Sequence, residues 1–245
     1  MEAFTAFAIK LADRAGSLAR ESFYTVQGVS QKADNSLVTE TDKAIETALR
    51  DMIAAEYPEH GIYGEEHGRT NPGASYQWVI DPIDGTNAFI AGIPTFTTLI
   101  ALTVDGVPVL GLIDQPILQE RLVSSQLTPH NYTALLANSI VATTSMAYFT
   151  PMEIDRFTRL RKHCAGTIHA GDAYLYAKLA RGTVGVVVDA CLKPYDFCAL
   201  RPVVEAAGGI ITDWQGKPLH MHSDGTVVAA ANQALHTQAL RLLND

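Results

Sequence analysis

From Phe4 to Phe23 the apolar residues Phe4, Phe7, Ala8, Leu11, Ala15, Leu18 and Phe23 recur at three- and four-residue spacing, which predicts an amphipathic helix. Gln27-Gly28-Val29-Ser30 reads as the turn that ends it. A polar stretch from Lys32 to Asp42 follows, then a second helix to about Ala55 that Thr41 or Asp42 is placed to cap. Tyr57-Pro58-Glu59-His60 breaks this helix, and Gly61-Ile62-Tyr63 is a short strand leading into Gly64-Glu65-Glu66-His67-Gly68. After a turn at Gly73-Ala74-Ser75, the run Trp78-Val79-Ile80 reads as a buried strand. It is expected to stop at Ile80, because Asp81-Pro82-Ile83-Asp84-Gly85-Thr86-Asn87 contains residues that strand interiors disfavour.

Two apolar runs, Thr95 to Val104 and Val107 to Ile113, flank Asp105-Gly106 and predict a hairpin. Asp114-Gln115-Pro116 interrupts the second, and Glu120 to Ser124 is a further strand. The polar stretch from Ser125 to Thr133 divides the chain into halves of 1–125 and 126–245, expected to form one compact unit with the active site between them. In the second half, a strand is expected within 134–144 and a helix over Pro151 to Lys162. Thr167 to Asp172 leads into a helix that runs through Leu179 or Ala180 and stops at Gly182. Val184 to Val188 is a β-branched strand ending at Asp189. A helix from about Phe197 to Ala207 stops at Gly208-Gly209, with Pro202 inside it at the cost of a backbone hydrogen bond. Ile210 to Trp214, Val227 to Ala230 and a last helix from Gln233 to Leu243 complete the chain. Helices, then hairpins, then alternating helix and strand make an α+β protein of layered helices and sheets.

Composition narrows the functional classes. The chain has 245 residues, 47% apolar and 18% charged, with a net charge of −8, and no basic cluster of the kind that binds nucleic acid. No apolar run approaches the roughly 18 residues of a membrane span, and the first residues lack the pattern of a signal peptide. Three cysteines without C-x-x-C spacing fit reduced thiols. A cytoplasmic protein without nucleic-acid or membrane partners is expected. His67, His130, His220 and His222 are scattered without ligand spacing and read as surface or internally satisfied histidines rather than a metal site.

Several acids lie at element boundaries, often beside Gly or Pro: Asp42, Glu65, Asp81, Asp84 and Asp196. Carboxylates gathered without cations repel one another. They are therefore either dispersed on the surface or share metal ions, and spacing leaves both readings open. Oxygen ligands of this kind suit hard divalent cations such as Mg²⁺.

Glu65 in Gly64-Glu65-Glu66, the run Asp81 to Asn87, and Asp196 followed by a helix ending Glu205-Ala206-Ala207-Gly208-Gly209 resemble the signature motifs of the inositol monophosphatase family. The resemblance covers about residues 30–218. It implies a layered αβαβα sandwich of the inositol monophosphatase and fructose-1,6-bisphosphatase type, and a phosphomonoesterase that uses metal-activated water. Glu65, Asp81, the Ile83 carbonyl, Asp84 and Asp196 would hold two or three Mg²⁺ ions. Glu65, Thr86 and Asp42 would be catalytic, Thr86 and Asp42 together orienting and activating the water. Gly85 and Thr86 would offer N–H groups to the phosphate. The resemblance also implies a homodimer acting on a small phosphorylated metabolite.

A narrower resemblance points to the substrate. Thr98 to Leu102, Gly111 to Leu118, Gly171-Asp172-Ala173-Tyr174 and Leu192 to Phe197 are similar to the histidinol-phosphate phosphatases of this family. Tyr195 stands where the inositol enzymes usually carry Trp. Asp189 stands where they present a Glu to the sugar hydroxyls. Histidinol is cationic, so Asp172 and Asp189 are expected to contact it, Asp172 having the alternative role of capping the next helix. Two departures stand out: the segment after Val123 is short for the family, and Ala170 replaces a frequent Gly. The other readings are an inositol, polyol or nucleotide phosphatase, and an inactive phosphatase-like binding module.

Overall fold

The computed structural model describes residues 1–25, 28–32 and 37–245. The expected turn at Gln27 and the polar residues 33–36 lie outside the described residues. The first helix, α1 (Glu2–Ser22), buries Phe7, Leu11, Ala15 and Ala19, and α2 (Glu40–Glu56) buries Ile45, Leu49 and Ile53 against it. The cap of α2 is Thr39, two residues before Thr41 and three before Asp42, the residues expected to cap it. Its hydroxyl accepts from the N–H groups of Thr41 and Asp42, while the Asp42 carboxylate accepts from Thr39 N at 2.9 Å. This reciprocal capping box satisfies the orphan donors of the first turn. Between these helices, β1 (Ser30–Gln31) and β2 (Leu37–Val38) pair antiparallel.

Six strands form the first sheet: β3 (Gly61–Gly64), β4 (Gly68–Thr70), β5 (Tyr76–Asp84), β6 (Thr97–Val104), β7 (Val107–Gln115) and β8 (Glu120–Val123), in the order β4-β3-β5-β6-β7-β8. Only β3 and β5 run parallel. A one-turn helix, α3 (Thr86–Ile90), follows β5. The strand does not stop at Ile80. It continues to Asp84 through a register shift between Asp81 and Asp84, after which Asp84 pairs with Thr97. Such an irregularity accommodates Pro82, which has no N–H to give the ladder. Likewise β7 runs on through Asp114 and Gln115, because Asp114 faces Arg121 of β8 in register and pairs with its guanidinium at 2.7 Å.

The second sheet has the order β10-β9-β11-β13-β12, built from β9 (Ile140–Thr143), β10 (Gly166–His169), β11 (Val186–Asp189), β12 (Ile210–Thr212) and β13 (Val227–Ala230). The edge strand β10 has an unremarkable polar pattern and was not expected. Its helices are α4 (Pro151–Arg161), α5 (Tyr174–Ala180), α6 (Pro194–Phe197), α7 (Leu200–Ala206) and α8 (Gln233–Asn244). The helix expected over 197–207 is therefore two, α6 and α7, with Asp196 inside α6. Pro202 is the third residue of α7, in the first turn, where no intrahelical acceptor awaits its missing N–H. The expected hydrogen-bond cost does not arise.

Alternation along the strands stacks five layers. Trp78, Ile80, Ile100, Leu102 and Leu112 face α1 and α2, whereas Val79, Leu99, Ala101 and Ile113 face the helices α5 to α7. The far side of those helices packs on Ala142, Val187 and Ala229 of the second sheet, whose other face, Val141, Val186, Val188, Val228 and Ala230, is covered by α4 and α8. The order is αβαβα. Both sheets are buried on both faces, which is why their strands read as nearly continuous apolar runs. No helix among the described residues is long and apolar enough to cross a membrane.

The approach between sheet and central helices is tightest at Gly111. A Cβ there would lie 2.1 Å from the Ala199 carbonyl oxygen. Gly111→Ala must push backbone apart and is expected to cost about 1–3 kcal/mol, lowering the melting temperature by roughly 2–4 °C per kcal/mol. A thermal melt that matches the native one would show that the layers separate more freely than this contact implies.

Candidate metal and phosphate site

Asp81 shares the face of Val79, so the alternation that buries Val79 against the central helices also aims Asp81 at them. The bulge brings Asp84 alongside, and α6 delivers Asp196 from the opposite layer. One carboxylate oxygen from each of the three lies within 4.8 Å of the others. Each acid is oriented by a backbone donor: Ile83 N to Asp81 at 3.1 Å, Ala173 N to Asp84 at 2.6 Å and Lys193 N to Asp196 at 2.6 Å. Thr97 Oγ1 adds a bond to Asp84 at 3.3 Å. Burial raises the pKa of all three, and their neighbouring carboxylates, Glu65 and Asp172 among them, push in the same direction; Asp196 rises to about 7.

Glu65 stands at the end of β3, parallel to β5 and in reach of Asp81. Burial raises its pKa first, against the opposing pull of Lys32. The Lys32 ammonium bridges Glu65 and Glu66, 2.7 Å from each. What fixes this loop is Glu46, a residue that sequence reasoning passed over. It is fully buried, accepts from Glu66 N at 2.6 Å and His67 N at 3.0 Å, and is paired with Arg50 at 2.7 Å. Gly64 permits this, since a Cβ there would sit 2.1 Å from the Glu46 carboxylate. The signal was legible: Glu46 falls within the buried stripe of α2 beside Ile45, Leu49 and Ile53, where an acid requires partners.

Gly85 turns the chain from β5 into α3 at φ 87°. The first N–H groups of α3 have no intrahelical acceptor. Thr86 Oγ1 lies 3.4 Å from Asp42 Oδ1 and 3.2 Å from the Ile83 carbonyl oxygen. The hydroxyl has one hydrogen to give to either, and its lone pairs stay free. Asp42 is buried, which raises its pKa, so it is a better proton acceptor than a solvated carboxylate.

Asp172 does not cap α5. The residue at the cap is Ala173, which makes no side-chain cap bond. Instead Ala170, Gly171 and Asp172 all have positive φ, of 68°, 119° and 44°, and the Asp172 carboxylate lies against Gly85, 2.7 Å from where a Cβ would stand. Burial raises its pKa to about 6. Asp189, expected to contact substrate, is 2% exposed and already satisfied. It accepts from Thr143 Oγ1 (3.0 Å), Thr144 N (2.7 Å) and Tyr176 OH (2.8 Å). Both oxygens of Asp189, expected to face the substrate, accept hydrogen bonds from within the protein. Burial, then Asp196, Glu65 and Asp81, raise the Tyr195 phenol, which stays protonated beside the acids.

The donor set fits a divalent cation. Asp81, Asp84 and Asp196 offer only oxygen, the choice of hard ions such as Mg²⁺. Asp81 is buried and Asp84 and Asp196 are half-buried, yet among the described residues no Lys or Arg forms an ion pair with any of them. Among these residues no histidine or cysteine group forms a second candidate site.

A five-layer αβαβα fold with buried carboxylates at the end of a central strand defines a metal-dependent phosphoric monoester hydrolase. The chain belongs to the inositol monophosphatase family, which it matches over residues 1–245. The solved structure of an inositol monophosphatase from Zymomonas mobilis is 42% identical, with a TM-score of 0.90 over 100% of this chain and 98% of that one. Bifunctional phosphatase IMPL2, chloroplastic, from Arabidopsis thaliana is 40% identical over 99% of this chain and 75% of its own length. A histidinol-phosphatase from Chlorobaculum parvum is 34% identical over 93% of this chain and 92% of its own.

Proposed function

We propose that this phosphatase hydrolyses histidinol phosphate to histidinol and phosphate. The observation that carries the reading is the Asp172 carboxylate, which lies against the Gly85 turn and accepts no hydrogen bond among the described residues. An acid without a partner beside the phosphate suits a leaving group that brings its own positive charge. Similarity to a histidinol-phosphatase adds weight. The resemblance to an inositol monophosphatase favours a second reading, a neutral polyol whose hydroxyls donate to Asp172.

In this reading Asp81, Asp84, Asp196, Glu65 and the Ile83 carbonyl hold Mg²⁺. When bound, the ions neutralise the phosphate and acidify water at neutral pH. The protein's own groups supply the rest. Thr86 Oγ1 takes a proton from the attacking water as it gives its own to Asp42. The N–H groups of Gly85 and Thr86 hold the phosphate oxygens in line, and Asp172 receives the ammonium of the alcohol.

Phosphate release from histidinol phosphate, inositol 1-phosphate and fructose 1,6-bisphosphate, with and without Mg²⁺, tests the proposal. Histidinol phosphate is expected to show the highest kcat/KM. No turnover of any ester with Mg²⁺ present would mark a binding module instead. Asp172→Asn is expected to raise KM for histidinol phosphate about tenfold or more, the equivalent of 1.4 kcal/mol, with little change for a neutral ester. Equal effects on both esters would remove Asp172 from substrate recognition.

A further inference from the structure

Away from the acids, a cleft of about 320 Å³ opens between α1 and the β7–β8 hairpin, lined by Arg20, Asp114, Pro116, Gln119 and Arg121. Its floor carries a carboxylate with work left undone. Asp114 is 3% exposed. Its Oδ1 accepts from Arg121 Nε at 2.7 Å, but its Oδ2 is buried with no hydrogen-bond partner among the described residues. Native proteins rarely leave such an oxygen unpaired, because the lost hydration is not repaid.

The walls are cationic. Arg121 spends Nε on Asp114 and Nη1 on Asp13, at 2.7 Å each, which leaves its remaining amino group. Arg20 is exposed and forms no hydrogen bond or ion pair among the described residues, and its charge acts on Asp114 from across the cleft. Space between these groups exists because residue 16 is glycine. The point where its Cβ would stand is 3.1 Å from Arg20 Nη1, 3.2 Å from Asp114 Oδ2 and 3.2 Å from Pro116 Cβ.

We propose that this cleft binds a free α-amino acid, with its ammonium on Asp114 Oδ2 and its carboxylate between Arg20 and Arg121. The two signs of charge select the ligand. An anion alone would meet the open Oδ2 of Asp114, and a cation alone would meet two guanidiniums. A small molecule carrying both charges a few bonds apart satisfies all three groups. The volume lies at the small end of ligand pockets. The site also has a short path to the metal loop: Asp114 pairs across the sheet with Thr98, whose hydroxyl donates to the Pro82 carbonyl at 2.8 Å.

The test is titration calorimetry on the Mg²⁺-loaded protein with each of the twenty protein amino acids. The tightest is then compared with its decarboxylated amine and its deaminated acid. At least one amino acid is expected to bind, and both truncated forms to bind at least about tenfold more weakly. Arg20→Gln, a change at an exposed unpaired residue, is expected to weaken binding about tenfold while phosphate release without added amino acid stays unchanged. Gly16→Ala fills the cradle and is expected to abolish binding; alanine is well tolerated in a helix, and Arg20→Gln carries the test should the tighter packing unfold it. The proposal is overturned by an absence of binding. It is also overturned if either truncated form binds as tightly as its parent, or if Arg20→Gln keeps the native affinity, since an amino acid held at the substrate site would ignore that change.

Discussion

Asp84→Asn is expected to slow phosphate release at least about a thousandfold, since a ligand charge worth several kcal/mol to the transition state is lost, while the metal-free protein becomes harder to unfold. The two effects have one cause. Asp84 is half-buried with Asp196 and Asp172 close by, and desolvation and these charges raise its pKa well above the ordinary carboxylate range. Asparagine keeps an oxygen to accept from Ala173 N, the 2.6 Å bond that ties β5 to the start of α5. The fold loses little, and the repulsion falls. Activity measured over a range of Mg²⁺, beside thermal melts in chelator, separates the outcomes. A variant that loses activity and also melts lower in chelator would mean that Asp84 is chiefly a structural residue.

Stability of the metal-free protein is expected to fall as the pH rises from about 4 to about 7, and added Mg²⁺ to reverse the trend. Asp172 and Asp189 are pushed up to about 6 and Asp196 to about 7, from an ordinary value of 3.8, with burial the main cause in each. Between the ordinary and the raised values the folded protein binds more protons than the unfolded chain. Stability therefore declines with rising pH across that window and levels off above it. A drop in melting temperature of roughly 5 °C or more is expected, given 2–4 °C per kcal/mol at this size. Mg²⁺ binds only the ionised acids, so its stabilisation grows over the same window. Melts in chelator that rise steadily from pH 4 to 7 would contradict the buried cluster.

Much of the fold was legible because burial on both faces leaves a plain record. The periodicities of α1, α2, α4 and α8, the hairpin at Asp105-Gly106 and the β-branched run before Asp189 all correspond to elements within a residue or two. The misreadings share a cause. Strand β5 continues past Ile80 because a bulge absorbs Pro82, β7 continues past Ile113 because Arg121 neutralises Asp114, and Pro202 is harmless because α7 begins just before it. In each case a local rule was correct about the residue and wrong about its partner.

The same division runs through the site. The sequence by itself determined which side chains are available: carboxylates at Glu65, Asp81, Asp84 and Asp196, a glycine at the turn after β5 and a threonine after it. Their types and chain positions depend on no partner, and through their resemblance to the family's motifs they imply the class of reaction. Only the tertiary structure decided which acids act together. Asp81 meets Asp196 because alternate residues of β5 face the central helices, and Glu46 holds the loop after Glu65 through the N–H groups of Glu66 and His67 because α2 packs against β3. Asp172 is left open beside Gly85, whereas Asp189, equally acidic in the sequence, is closed off by Thr143, Thr144 and Tyr176. A carboxylate's chemistry is set by what satisfies its lone pairs, and residues dozens of positions away supply that.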